Sequence, residues 1–373
     1  MPNIQYFLGA NSPRGFYSLY DQLISIEDAN AVYILKGGAG CGKSTLMRQV
    51  ARAAEGANIP VEYILCSGDP DSLDAVILPS LSVALVDGTA PHVVEPKYPG
   101  VIERYVNLGS CYDTAALAPL RAEIMGCMTG YKDCYRRAYR CLDAAAQIAA
   151  DERSTLLSPA LEEKMQKRAA GILSREVRRK KGALPGKVTQ RFLSAVTHAG
   201  QMTLFETVQA QCSKIYELSD SYGLSHSMLT HLLTGITAAD SPCTISTSNE
   251  RFANFFAGIE NITGLTMAPE RLEHLIVPQL GLAFLSTTPT TPFPGHPHRR
   301  IRVDAMAGAE LLRHSRPRLR FAKKVAAALM DEAVSSLSQA KQMHDELEAL
   351  YNPHVDFGRV DKMAREIIAE ILN

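Results

Sequence analysis

The chain carries no excess charge of either sign: 39 Lys and Arg balance 39 Asp and Glu over 373 residues. A balanced surface has no global electrostatic drive toward nucleic acid or an anionic membrane. No apolar run reaches bilayer-spanning length, and the opening MPNIQYFLGANSPRG lacks the basic start and apolar stretch of a secretory signal. A cytoplasmic location is therefore expected, with neither membrane nor nucleic acid as a partner. Nor is a disulfide framework expected, because eight cysteines in a chain of this size without secretory features read as reduced thiols. The hydrophobic content of 46% can bury a large core, and the length suffices for two domains.

Against these absences stands one dense signal, GGAGCGKS from Gly37 to Ser44, which fits the phosphate-binding pattern G-x-x-x-x-G-K-[ST]. AVYIL (Ala31 to Leu35) precedes it with the length of a buried strand. STLMRQVARAA follows with helical spacing through Leu46, Val50 and Ala54, and Gly56 ends the helix. A polyanion must be wrapped by backbone N–H groups without intervening side chains, which glycine permits. The segment Gly37, Gly38, Ala39, Gly40, Cys41 and Gly42 is thus the expected cradle, at a helix N-terminus whose dipole favours anions. Lys43 would reach the β- and γ-phosphates, Ser44 would hold Mg²⁺, and Thr45 lies beside it for an α-phosphate. Cys41, a thiol at a helix N-terminus, is expected to have a depressed pKa.

SVALVD (Ser82 to Asp87) is an apolar strand ending on a carboxylate, the pattern of a Walker B strand, so Asp87 is the expected magnesium ligand, through water. The following residues, GTAPH, supply no Glu where many ATP-hydrolysing proteins place their water-activating base. Asp69, in SGDPDSLD beyond the strand VEYILC (Val61 to Cys66), is the first candidate to orient a water or acceptor hydroxyl, since ligands gather at the carboxyl ends of parallel strands. The same residues also read as a turn with Asp71 or Ser72 capping a helix. Thr89 and His92 are further candidates to face the γ-phosphate.

The chain repeats itself. Leu73 maps to Leu272, Pro79 to Pro278, Leu81 to Leu280 and Ala84 to Ala283, a constant shift of 199 positions; Phe7 falls on Phe192 and Tyr33 on Tyr216. A tandem duplication is expected, with about 15 extra residues in the second copy near Asn249 to Leu265. In that copy Gly37 becomes Asp220, Gly42 becomes Ser225, Lys43 becomes His226 and Asp87 becomes Ser286, so no competent triphosphate site is expected there. Arg299, Arg300 and Arg302 of the second copy are candidates for an arginine finger on the intact site, and His296 and His298 for a metal.

Each copy ends in long helices. Leu117, Ile124, Tyr131, Ala138 and Ala145 alternate with Leu120, Cys127, Cys134, Cys141 and Ile148 in an a/d pattern, making the seven-spaced cysteines core residues rather than ligands. A second helix runs through Leu161, Met165 and Ile172 before a basic run, Arg175 to Lys181, read as a solvated helix end. Ala322, Leu329, Met343 and Leu350 repeat the plan with Ala326, Ala333, Ala340 and Leu347, followed by a turn at Asn352 and Pro353 and a last helix, Asp361 to Leu372. The expected domains are a nucleotide-binding core (1–112), a helical hairpin (113–185), a degenerate core (186–312) and a C-terminal helical hairpin (313–373).

On Gly37 to Ser44 and Asp87 the chain resembles the P-loop NTPase superfamily. With YFLGANSPRGF, CSGDPDSLDAVILP and VDGTAPH it resembles more narrowly a family of bacterial ATPase-like proteins built from two related halves. The resemblance implies an α/β fold of tandem three-layer cores with parallel sheets, and ATP and Mg²⁺ binding at Gly37, Gly42, Lys43, Ser44 and Asp87. Members of the family it resembles can carry a phosphate loop in both halves, and this chain departs from that at Asp220, Ser225 and His226. Three activities stay open: an ATPase, a small-molecule or nucleotide kinase with Asp69 as base, and a nucleotide-gated scaffold whose helices bind another protein. Without an N/T-K-x-D motif, adenine against guanine also stays open.

Overall fold

The computed structural model describes residues 4–178, 186–239, 241–251 and 270–372. Arg179, Lys180 and Lys181 of the basic run lie outside the described residues, as does the expected insertion from residue 252 onward. The first half begins with β1 (Ile4–Tyr6), a hairpin of β2 (Gly9–Ser12) and β3 (Gly15–Ser18), then β4 (Ala31–Lys36) and helix α1 (Lys43–Gly56). It continues through β5 (Glu62–Leu65), β6 (Leu73–Leu78), β7 (Val83–Asp87) and β8 (Glu103–Asn107). After α2 (Thr114–Leu117), α3 (Arg121–Leu156) and α4 (Pro159–Glu176) comes the second half. There follow β9 (Val188–Arg191), the hairpin β10 (Ser194–Thr197) and β11 (Gly200–Thr203), α5 (Phe205–Gln211), β12 (Lys214–Ser219) and α6 (His226–Thr237). The strands β13 (Cys243–Arg251), β14 (Glu270–Val277), β15 (Leu282–Thr287) and β16 (Arg299–Arg302) lead into α7 (Ala309–Tyr351) and α8 (Phe357–Leu372).

The protein is mixed α/β, with two six-stranded, mostly parallel sheets. Their orders, β1-β5-β6-β7-β4-β8 and β9-β13-β14-β15-β12-β16, correspond strand for strand and in the sense of every pairing. The duplication read from the sequence is therefore matched in topology. The sheets depart from a fully parallel expectation at β6 and β14, which run antiparallel to both neighbours. The segment after SGDP is thus a strand and not a capped helix. Its sequence LDAVIL is buried at all six positions, the pattern of a strand covered on both faces.

Helix α1 buries Leu46, Met47, Val50, Ala51 and Ala54 on one stripe. Leu35, Ile34, Leu46, Met47 and Leu85 are fully buried, each contributing about 1.5–3 kcal/mol by leaving water. The core is continuous across the halves: Phe192, Leu193, Ile215, Ile276 and Leu285 belong to the same cluster as Phe7, Leu8 and Ile34. At its centre Phe7 N donates to Phe192 O and Phe192 N donates to Phe7 O, both at 2.9 Å. Equivalent residues meet each other reciprocally, as at a two-fold axis.

The long helices do not fold back within their own halves. α3 lies along α7, α4 packs on α6, and α8 packs on α1. Each half therefore lends its last helix to the other's core: Val360, Ala364 and Ile367 join the first cluster, and Leu161, Met165 and Ile172 the second. The expected hairpins are replaced by an antiparallel pair, with Arg137 Nε donating to Ser336 Oγ at 2.8 Å and Arg318 bridging to Asp151 at 2.6 Å. A heptad pattern reports a sticky face but not which helix covers it. Small residues let these two approach closely, since Ala138 and Ala333 are wholly buried and a Cβ at Gly130 would collide with Met343. The last helix starts at Phe357, earlier than Asp361, directly after the turn at Asn352 and Pro353.

Enlarging this seam tests it. Ala333→Leu should overpack the α3–α7 contact and lower stability by about 1–3 kcal/mol, measured by urea denaturation.

Candidate functional site

Register places the first group of candidates together. β4 pairs in parallel with β7 so that Leu35 lies opposite Asp87, and Gly88 N donates to Leu35 O at 3.0 Å. The carboxylate therefore stands beside the point where β4 enters the glycine-rich loop. Two glycines carry the turn, Gly40 with φ of 66° and Gly42 with φ of 87°, in the left-handed region that side chains disfavour. Helix α1 opens immediately afterwards at Lys43 without a side-chain cap, so its first amides are directed at the loop opening.

Lys43 curls back over the loop. Its Nζ donates to Gly37 O at 2.8 Å and Gly38 O at 2.7 Å, and lies 3.5 Å from Asp87 Oδ2. The other Asp87 oxygen accepts from Thr89 N at 2.8 Å and Thr89 Oγ1 at 2.5 Å. Ser44 Oγ accepts from Leu73 N at 3.0 Å, while Thr45 is exposed. Ser44 Oγ and the Asp87 carboxylate offer hard oxygens, the donor type suited to Mg²⁺. Because Thr89 and Lys43 engage both Asp87 oxygens, the carboxylate fits a hydrated ion held through water better than one held directly.

Other candidates have partners of their own. Asp69 Oδ2 lies 3.4 Å from Lys341 of α7, and Asp69 Oδ1 accepts from Asp71 N at 3.3 Å. His92 is buried, with Nε2 3.3 Å from Asp74 Oδ1. Arg299, Arg300 and Arg302 line β16 at the edge of the second sheet, where Arg300 donates to Glu217 of its own half at 2.6 Å. His298 packs its ring on Tyr216, and neither it nor His296 joins a possible metal cluster among the described residues. The Cys41 expectation is overturned: burial pushes its thiol up, and the nearby Lys43 ammonium only partly offsets that. The thiol points into the core, so desolvation of the thiolate outweighs the helix dipole.

Sequence reasoning missed three groups. Lys36 Nζ donates to Gly88 O at 2.8 Å, Val94 O at 3.1 Å and Glu95 Oε1 at 3.0 Å, pinning the turn after Asp87. Tyr112 OH donates to Ala39 O at 3.0 Å. The third comes from the far end of the chain: a Cβ at Gly40 would meet Asn352 and the Glu348 carbonyl, and one at Gly42 would touch Val360 and Phe357. Gln49 of α1 donates to Asp361 at 2.8 Å. The glycines thus serve the close approach of α7 and α8 as well as the turn. A cavity of about 360 Å³ opens at this seam between Tyr112, Asp113, Pro353, Val355 and Arg359. Only the distance along the chain hid these contacts, since no local pattern links residue 40 to residue 352.

The corresponding loop in the second half is filled from within. Asp220, 2% exposed, accepts from Leu224 N at 2.8 Å, Ser225 N at 2.6 Å and Tyr222 N at 3.3 Å. Its carboxylate occupies the amides of that loop as an internal anion. His226 Nδ1 accepts from Leu272 N at 2.9 Å, as Ser44 Oγ does from Leu73 N one repeat earlier. Burial, with Arg271 and Arg153 nearby, pushes His226 down to about 4. Comparison with known proteins returns no matching family model, no matching curated protein and no matching solved structure.

His226 makes stability depend on pH. Its folded pKa lies below the unfolded value near 6.5, so the unfolded chain binds the proton first and stability falls as pH drops from 6.5 toward 4. Between pH 7 and pH 5 this one group should remove about 2 kcal/mol. Urea denaturation at both pH values should show a smaller difference in His226→Gln than in the parent chain.

Proposed function

We propose that the protein is a Mg-ATP-dependent ATPase with one competent site, in the first half, and a second half that does not bind triphosphate. The observation that carries this reading is the placement of Lys43 between the loop carbonyls of Gly37 and Gly38 and Asp87, at the uncapped start of α1. An ammonium tethered to main-chain carbonyls can exchange them for phosphate oxygens without leaving the loop. The amides from Gly38 to Ser44 then hold the β-phosphate, Lys43 reaches the β- and γ-phosphates, and Thr45 lies next to the α-phosphate. Ser44 and Asp87 would hold Mg²⁺, which when bound would neutralise phosphate charge. Thr89 and Lys36 keep Asp87 and its turn in place. Asp69, borne on the turn before β6, is the candidate to orient the attacking water.

The second half is read as a partner surface because Asp220 already occupies the amides that a phosphate would need. Its long helix reaches the competent loop instead. Asn352 and Glu348 lie over Gly40, Val360 and Phe357 lie over Gly42, and Lys341 holds Asp69. Filling the loop must displace or tighten these contacts, so nucleotide state would be transmitted to the α3–α7 pair. This favours the nucleotide-gated scaffold as the second reading, in which turnover is negligible and the helices bind another protein.

Replacing Lys43 by Ala should lower ATP affinity about 10- to 100-fold by removing charge-assisted hydrogen bonds worth about 1.5–3 kcal/mol, and should abolish hydrolysis; calorimetric titration and phosphate release with Mg²⁺ measure both. Unchanged binding and turnover would refute the site. Incubation of the pure protein with γ-labelled ATP, with and without a metabolite extract, separates the activities. Label in free phosphate is expected; label in an organic product indicates a kinase, and intact ATP indicates the scaffold.

A further inference from the structure

We propose that Cys66, Asp74 and His92 form a binding site for a divalent transition-metal ion of the zinc class, separate from the loop that begins at Gly37. The three residues come from different segments: the end of β5, the buried strand β6, and the turn beyond β7. One potential ligand atom from each, the thiol sulfur, a carboxylate oxygen and a ring nitrogen, lies within 4.8 Å of the others. Such a spacing is what one ion touching all three requires, since Zn–S is about 2.3 Å and Zn–N and Zn–O about 2.0–2.2 Å.

The details of the pair fit an ion as well as a hydrogen bond. His92 Nε2 stands 3.3 Å from Asp74 Oδ1, longer than the roughly 2.7–2.9 Å of a charge-assisted hydrogen bond. It matches the edge of a tetrahedron whose corners lie about 2.0–2.1 Å from the centre. His92 and Asp74 are only 9% and 3% exposed, so an ion held between them would be little screened by solvent.

An outer layer is also built. Tyr20 OH donates to Asp74 Oδ2 at 2.8 Å, fixing the carboxylate as outer partners of metal ligands do. The rings of Phe16 and Tyr20 pack on His92 with centroids 5.1 and 4.8 Å away, holding its plane. A thiolate with an imidazole selects zinc-class ions over Mg²⁺, whereas Ser44 and Asp87 offer only oxygens. Binding forms a metal–sulfur bond at Cys66 and releases the thiol proton to solvent. The bound ion would clamp the turn that follows Asp87 onto β5 and β6.

The test uses the full chain stripped by a chelator and titrated with Co²⁺, then Zn²⁺. One equivalent of Co²⁺ should bind with thiolate-to-cobalt charge-transfer absorption in the near ultraviolet, be displaced by Zn²⁺, and give one zinc per chain by elemental analysis. Cys66→Ser should abolish the charge-transfer band, and Cys66→Ser and His92→Ala should each weaken uptake at least about tenfold; Tyr20→Phe should weaken it by about tenfold. Circular dichroism establishes that each variant is folded, and the near-isosteric Cys66→Ser keeps the test decisive if His92→Ala is not. Lys43→Ala should leave uptake unchanged, so the outcome is independent of ATP binding. Absence of saturable uptake by the parent chain overturns the proposal. So does uptake that survives in Cys66→Ser, including uptake lost only on His344→Ala in the cluster of His344, Asp345 and Glu348 on α7.

Discussion

The structure depends on the junction where equivalent segments of the two halves meet. Phe7 and Phe192 exchange a reciprocal pair of backbone hydrogen bonds at its centre, and both rings are wholly buried. Beside them Arg191 donates to Glu62 at 2.6 Å and to the carbonyls of Gln22 and Leu23, so the buried guanidinium is both paired and hydrogen-bonded. Leaving either partner alone would strand a buried charge, the costly case for such pairs. With the halves joined at this point, one hydrophobic cluster runs through both, and neither half completes its core alone.

The exchange of helices follows from that junction. The helix that follows each sheet travels away as one member of the α3–α7 pair, and the shorter helix after it returns to the opposite core. α8 on α1 and α4 on α6 are the same contact made twice. The consequence for function is asymmetric because the two loops differ. The first loop receives α8 beside glycines and a lysine. The second receives α4 beside a loop whose amides already hold the carboxylate of Asp220. Both loops answer the same electrostatic demand, since amides converging at a helix start call for an anion. One answers it with a side chain of its own, and the other leaves its lysine resting on carbonyl oxygens.

Local patterns made much of this legible. The strand-loop-helix from Ala31 to Ala54 lies within one stretch of chain, so its local conformation follows from apolar and glycine spacing. Asp87 was readable because an apolar strand ending on a carboxylate has only one place to put it. The repeat appeared through Leu73 and Leu272, whose amides turn out to be donors to Ser44 and His226. The direction of β6 was not readable: an apolar run of six residues suits either sense, and pairing decides it. The pKa of Cys41 went the other way because burial, which sequence does not report, outweighed the helix start. His92, expected as a candidate to face the γ-phosphate, is buried beside Asp74.

By itself the sequence determined the duplication, the glycine-rich loop with Lys43 and Ser44, the carboxylate at Asp87, and the loss of that set in the second copy. All of these depend on residue identity at short range. Tertiary structure alone decided that α3 pairs with α7, that α8 covers the first loop, that Asp69 answers to Lys341, and that Cys66, Asp74 and His92 converge. Each of those joins segments far apart in the chain, and an apolar or charged face carries no address. Which face meets which was settled by the junction at Phe7 and Phe192, where the geometry of the two halves left one way to bury both.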